Sequence, residues 1–186
     1  FCDGTNVRYI IPGDLLPQKH QLHVIFDDLS ALVCSVQMYG ALWALGPGQT
    51  EGYLEISRCK PNPLTSAFDW HYFRSLYAES DGKLSAKAFL ATRQRIPGLG
   101  NGVMQDILFN ARLHPKRKMN SLADHEWALL FNAVKNTLMD MSAQGGRDTE
   151  KDLFGQYGGY QTILSVRTAG KACPVCGGVI RTEAYL

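Results

Sequence analysis

Apolar and polar positions change their period twice along the chain, and the changes divide it into three parts. Leu22–Phe26 is a short apolar run with β-branched residues, Asp27-Asp28-Leu29-Ser30 reads as a turn, and Ala31–Val36 returns, which predicts a hairpin. Gly40–Leu45 and Tyr53–Ile56 are predicted as further strands on either side of the breaker Gly46-Pro47-Gly48. Pro61-Asn62-Pro63 closes the β-rich part as a linker. Residues 64–80 then read as helical, with Phe68, Phe73, Leu76 and Tyr77 on one face.

Two apolar segments follow, between Lys87 and Arg117, on either side of the turn Ile96-Pro97-Gly98-Leu99-Gly100-Asn101. The turn cannot be helical throughout, because Pro97 lacks a backbone donor and the glycines admit conformations other residues resist. In the second segment Val103, Met104, Ile107, Leu108 and Ala111 recur at the spacing of one helical face. Ser121 with Asp124 three residues on predicts the start of the longest helix. Its apolar face is Trp127, Leu130, Phe131, Val134, Leu138 and Met141, and Gly145-Gly146 stops it. Arg147–Tyr160 is polar and glycine-rich and is predicted to be a mobile loop. Thr162–Val166 and the segment from Cys173 onward read as β again. The expected fold class is therefore α+β: a β-rich part over 1–62, a helical part over 63–160 and a small cysteine-bearing β part over 161–186.

Composition adds little until it is localised. The 186 residues are 45% hydrophobic and 19% charged, which supports a buried core and argues against disorder. Net charge is only +2, but Ser85–Asn120 holds seven Lys/Arg against the single acid Asp106, leaving 12 basic and 16 acidic residues elsewhere. A basic helix pair in an otherwise acidic chain points to a nucleic-acid backbone. Asn101, at the start of the second helix, lies where free backbone N–H groups and the helix dipole favour an anion. No apolar run approaches the roughly 18 residues of a membrane span, so no membrane partner is expected.

Five cysteines, an odd number with two in a CxxC, favour a reduced compartment and a metal over a disulfide framework. Cys173-Pro174-Val175-Cys176-Gly177-Gly178 is half of a Zn²⁺ knuckle, and a four-cysteine site would place its third cysteine at roughly 192–197. A redox CxxC is the alternative, but that motif starts a helix, and the residues after Cys176 read as a strand following a turn.

The stretch from Lys87 to Arg117 also resembles a known family. Lys87-x-x-Leu90, Gly98-x-Gly100-Asn101, Leu108-Phe109 and His114-Pro115-x-Arg117 are similar to the helix–two-turns–helix signature of the formamidopyrimidine-DNA glycosylase / endonuclease VIII family. Lys19-His20 and Met38-Tyr39-Gly40-Ala41 upstream, and Lys151-Asp152 and Val166-Arg167 downstream, extend the resemblance. It implies an N-terminal β-sandwich, a helix–two-turns–helix domain and a C-terminal zinc β-hairpin, with the sandwich and the hairpin incomplete in this chain. It implies a monomeric, bacterial-type cytoplasmic protein, associated with the nucleoid through DNA. Its partner is double-stranded DNA with a damaged base or abasic site, and its cofactor a structural Zn²⁺ on Cys173 and Cys176. The activity implied is a DNA glycosylase with AP-lyase activity in base excision repair.

By the same resemblance, His20, Gly98, Gly100, Asn101 and Arg167 bind DNA, Arg167 standing where the family more often has tyrosine. Gln37, Met38 and Tyr39 match the loop that fills the gap left by an extruded base, and Gln37 stands where the formamidopyrimidine branch has arginine. The family's nucleophile is an N-terminal proline with a glutamate beside it. Phe1-Cys2 carries neither, so no catalytic residue is expected in this chain and a preceding segment is expected to supply the pair. The alternative is a non-catalytic, zinc-containing protein that binds damaged or bent DNA.

Overall fold

The computed structural model describes residues 4–37, 40–78 and 83–183. Three strands form an antiparallel sheet in the order β1-β3-β2: β1 (Thr5–Ile10), β2 (Leu22–Ile25) and β3 (Ala31–Val36). The predicted hairpin is β2–β3, with Leu22 opposite Cys34 and Ile25 opposite Ala31. Asp28 builds its turn: one carboxylate oxygen accepts from both the backbone N–H and the hydroxyl of Ser30. β1 was not singled out in the sequence as a strand; it pairs along its whole length with β3, from Thr5–Val36 to Ile10–Ala31.

The two further strands expected after the hairpin are absent. Residues 40–46 form no strand, and Tyr53–Ile56 lies inside a helix, α1 (Gly52–Cys59). The Glu51 side chain accepts from Tyr53 N at 2.9 Å, an N-cap that outweighs the aromatic and β-branched content of this short stretch. Asn62 makes the predicted linker a tight turn, its side-chain oxygen accepting from Leu64 N and its carbonyl from Thr65 N.

The helical part starts later than its apolar pattern does. Helix α2 (Trp70–Ala78) is preceded by turns, and Asp69 caps it by accepting from Tyr72 N at 2.7 Å. Helix α3 (Ala86–Ala91) is capped by Ser85, whose hydroxyl accepts from Ala88 N. The backbone returning from α4 closes the same end, because Ala86 N and Lys87 N donate to the carbonyls of Arg117 and Pro115. Helix α4 (Asn101–Asn110) ends with Leu113 N on Leu108 O and Arg112 N on Phe109 O, Arg112 taking the left-handed position at φ 56°.

Helix α5 (Asp124–Ala143) is capped at Ala123 rather than at Ser121. The Glu126 carboxylate accepts from Ala123 N, while Ser121 lies in a 3-10 turn and gives its hydroxyl to Lys118 O. Its end is the predicted glycine stop: Gly145 and Gly146 take φ 71° and 104°, and Gly146 N reaches back to Met141 O.

The core lies among α2–α5. Phe73 contacts Phe68, Phe89, Trp127 and Phe131 with ring centroids 5.4–6.0 Å apart, in edge-on and tilted arrangements. Ile107, Leu108, Leu130 and Val134 seal α4 against α5. Among the described residues no helix is long and apolar enough to cross a membrane.

Two expectations for the last third are corrected. The loop Arg147–Tyr160, expected to be mobile, is folded on itself and fastened at both ends. Asp148 N donates to Tyr160 O, Tyr160 N to Gly146 O and Asp152 N to Gln156 O. It is also tied to the sheet, with Tyr9 N on Leu153 O and Arg8 Nη1 on Asp152 O at 2.7 Å. Thr162–Val166 is not a strand, because the Asp106 carboxylate takes the N–H groups of Ile163 and Leu164 at 3.0 and 2.7 Å. A side chain there supplies the acceptors that a neighbouring strand would have offered.

Candidate nucleic-acid interface

The turn before α4 is built by a residue that the charge count credited to binding. Arg95 is 7% exposed, and its Nη1 donates to Ala88 O, Thr92 O and Thr92 Oγ1. Those bonds hold Arg93 and Gln94 in left-handed conformations (φ 56° and 47°), and Lys60 Nζ binds Gln94 O from the other side at 2.8 Å. Gly98 takes φ 78°, which favours glycine. Gly100 then caps α4 without a side-chain bond, and the helix starts at Asn101 with its end open.

Asn101 is exposed at the first helical position, as the sequence predicts, and the first N–H groups of a helix have no partner within it. Arg93, Arg112, Lys116, Arg117 and Lys118 are exposed along the same stretch. The charge there is partly committed: Arg117 lies 3.6 Å from Glu126, and Lys118 Nζ donates to Lys83 O.

The other predicted residues have distinct settings. His20 is exposed; its Nδ1 donates to Pro17 O at 2.9 Å and its ring meets that of His23 edge-on. Gln37 is exposed at the end of β3, its backbone bonded to Gly4 and Gly40, whereas Met38 and Tyr39 lie outside the described residues. Arg167 donates to Asp148 O at 2.9 Å, has its guanidinium 5.5 Å from the Tyr157 ring centre, and shares a cleft with Gly102.

At the knuckle, Ala172 pairs with Val179, Cys173 N donates to Gly178 O and Gly177 N to Cys173 O, with Gly177 at φ 72°. The Cys173 thiol is held below its ordinary pKa by the N–H groups of Cys176 and Val175, which favour a thiolate. A groove of about 1080 Å³ separates the knuckle from α4, and Lys87, Arg112, His114 and Lys116 are among its walls. Among the described residues no group of three or more His, Cys, Asp or Glu side chains could hold a metal ion.

Sequence reasoning passed over Asp106, the residue that organises the far side of α4. It is fully buried, and burial raises its pKa against the opposing pull of the Ile163 and Leu164 amides, the Tyr160 hydroxyl and Arg147. Tyr160 is pushed up to about 12 by burial and by the Asp106 charge. The signal was available, since Asp106 is the one acid in a stretch with seven bases and it sits beside the apolar face of α4.

Known proteins match both the helical part and most of the chain around it. The Formamidopyrimidine-DNA glycosylase H2TH domain matches residues 60–151, spanning α2 through α5 and the start of the loop after it. A formamidopyrimidine-DNA glycosylase of Laribacter hongkongensis is 33% identical over 177 residues, which are 92% of this chain and 64% of that protein. The chain thus carries the family's H2TH domain over residues 60–151 and is similar to a formamidopyrimidine-DNA glycosylase over most of its length.

A second relative in the family, from Vibrio vulnificus, is 33% identical over 150 residues, 78% of this chain and 54% of that protein. This chain thus spans less than two thirds of the length of these relatives. Among solved structures, MutM (FPG) of Thermus thermophilus superimposes with a TM-score of 0.73 at 21% identity, over 98% of this chain and 72% of that one. A Lactococcus lactis FPG mutant in complex with Fapy-dG containing DNA gives 0.76 at 25% identity, over 96% of this chain and 66% of that one. The family's fold therefore extends over nearly the whole chain, beyond the matched helical domain.

Proposed function

We propose that this chain is the DNA-gripping portion of a base-excision-repair DNA glycosylase with AP-lyase activity. The observation that carries the reading is the open N-terminus of α4 at Asn101, presented by the Gly98–Gly100 turn on a basic surface. On this reading His20, Gly98, Gly100, Asn101 and Arg167 contact phosphates of a duplex containing a damaged base or abasic site. Gln37, Met38 and Tyr39 enter the gap left by the extruded base. The division at 62 and 160 separates the sandwich part, the helical DNA-binding part and the hairpin part. A DNA-bound relative in the same fold supports the partner, and cytoplasmic residence at the nucleoid goes with it.

The knuckle suits a structural Zn²⁺. N–H groups directed at the Cys173 sulfur stabilise a thiolate, and Cys176 follows at ligand spacing. These two side chains would supply half of a four-sulfur set and fix the hairpin against α4. The chemistry of excision needs an unprotonated amine at the sugar C1′. Lys151, a candidate by its place beside Asp152, has its Nζ over the Tyr157 ring, 5.1 Å from the ring centre.

The 186-residue chain is therefore expected to bind an abasic-site duplex and not to be trapped on it by borohydride. Asn101→Ala should weaken binding by about 1–3 kcal/mol, roughly equally across sequences, with the fold intact. Unchanged affinity in that variant at moderate salt would remove Asn101 from the interface. Covalent trapping by this chain would place a nucleophile within residues 1–186 and refute the assignment of roles.

A further inference from the structure

We infer that the cleft over the first turn of α4 is an oxyanion subsite in which Arg147 holds a phosphate group of bound DNA. The inference rests on the DNA-binding reading above and adds a residue that the resemblance did not supply. Arg147 follows the glycine stop of α5 and is 8% exposed. Its Nη1 donates to Glu150 Oε1 at 2.8 Å, while its Nε is buried with no partner. The guanidinium lies on Gly102, the second residue of α4, where an added Cβ would come within 2.8 Å of Arg147 Cζ. Glycine at 102 is thus what lets the cation reach the helix end.

The cleft measures about 290 Å³, and its walls include Gly102, Gln105, Arg147, Thr149, Ser165 and Arg167, with no acidic residue among them. Thr149 Oγ1 is likewise buried without a partner. Three carboxylates lie near Arg147: Glu150 pairs with its Nη1, and the other two are engaged elsewhere. Glu150 is on the solvent side, Asp106 accepts from the Ile163 and Leu164 amides, and Asp148 Oδ1 accepts from Thr162 N. None of them meets Nε.

A guanidinium at the positive end of a ten-residue helix is unfavourably placed by itself, because the dipole there favours negative charge. An anion in the cleft reverses the sign of that interaction and offers an acceptor to the two cations on its walls, Arg147 and Arg167. The neutral edge of a base would accept their hydrogen bonds without offsetting the charge, so the geometry favours a tetrahedral oxyanion. Asn101 does not line the cleft, which makes this subsite additional to the contact proposed there.

The test uses the 186-residue chain and its Arg147→Met and Gly102→Ala variants, the second of which keeps the charge but displaces it. Inorganic phosphate should shift the amide signals at positions 102 and 105 in the wild type and not in either variant. The Ile163 and Leu164 amides report that the fold is retained. With duplex DNA, Arg147→Met should lower affinity about tenfold and reduce the slope of log K against log salt by about one, alike on damaged and undamaged DNA. Phosphate shifts that persist in both folded variants, or an unchanged slope, overturn the assignment. A loss confined to damaged duplex overturns it too, because Arg147 would then read a base. If phosphate acts as expected but the wild type binds no duplex, the oxyanion site stands and the DNA reading fails.

Discussion

Phe73, Phe89, Ile107 and Leu130 are 0% exposed among the helices, whereas Leu22, Val24, Ile25 and Phe26, in and beside β2, keep 39%, 40%, 62% and 42% of their surface. Both regions are rich in apolar side chains, but one holds them as a closed aromatic and aliphatic core and the other leaves them on a face. In the sheet only Ala31, Val33 and Cys34 of β3 are buried. What fastens the sheet is polar and local: Tyr9 N and the Arg8 guanidinium on carbonyls of 151–153, with the Tyr9 and Phe154 rings edge-on. The difference teaches where stability resides. The helices carry their own hydrophobic stabilisation and can present a rigid α4 terminus, while the sheet borrows its position from the loop that follows α5.

The sharpest way to break this comparison is to truncate one apolar side chain in each region. Phe73→Ala should cost about 3–5 kcal/mol, since it empties the space among four aromatic neighbours. Ile25→Ala, at 62% exposure, should change stability by no more than about 0.5 kcal/mol. Denaturant unfolding of both variants measures the contrast. Equal losses would mean that the outer face of β2 is covered in solution and that the asymmetry is false.

A second variant sharpens the comparison at the junction between regions. Asp106→Ala leaves the Ile163 and Leu164 amides without their acceptor and should cost about 1–3 kcal/mol. Hydrogen exchange should rise first at 163 and 164 and in the approach to Cys173, with the α2–α5 core still protected. Uniform loss of protection would show that the junction and the core open together.

How much of this was legible follows from which kind of interaction decides each element. The face of α5 and the two sides of the α4 turn were readable because the core they enter repeats every three to four residues. The β2–β3 hairpin was readable from a short apolar run with β-branched residues and the Asp27–Ser30 turn after it. Tyr53–Ile56 was misread because one N-capping carboxylate, Glu51, decided between states that the apolar pattern left nearly equal. Thr162–Val166 was misread because its partner is a side chain 57 residues earlier, and no local pattern announces such a bond. The start of α4 at Asn101 was legible because a helix start after glycines is a local property. Arg95 was miscounted and Arg147 missed for one reason: burial of a cation depends on what the chain brings to it from elsewhere.

The smallest effect expected separates the junction from the core by pH. Tyr160 is buried, joins the loop to α4 through Asp106, and has its pKa pushed from the ordinary 10 to about 12, first by burial and then by the Asp106 charge. A tyrosine raised in this way keeps its proton in the folded chain after the unfolded chain has begun to lose it. Its contribution is therefore complete below pH 10 and is lost as pH rises from 10 to 12. Tyr160→Phe should remove that part of the alkaline destabilisation, so that its stability curve falls less steeply than wild type across this window. At neutral pH it should be the less stable of the two, since the Asp106 carboxylate loses a donor. Parallel curves above pH 10 would mean that the loop releases Tyr160 before its proton leaves, and would put the fastening of loop to helix below the core in stability.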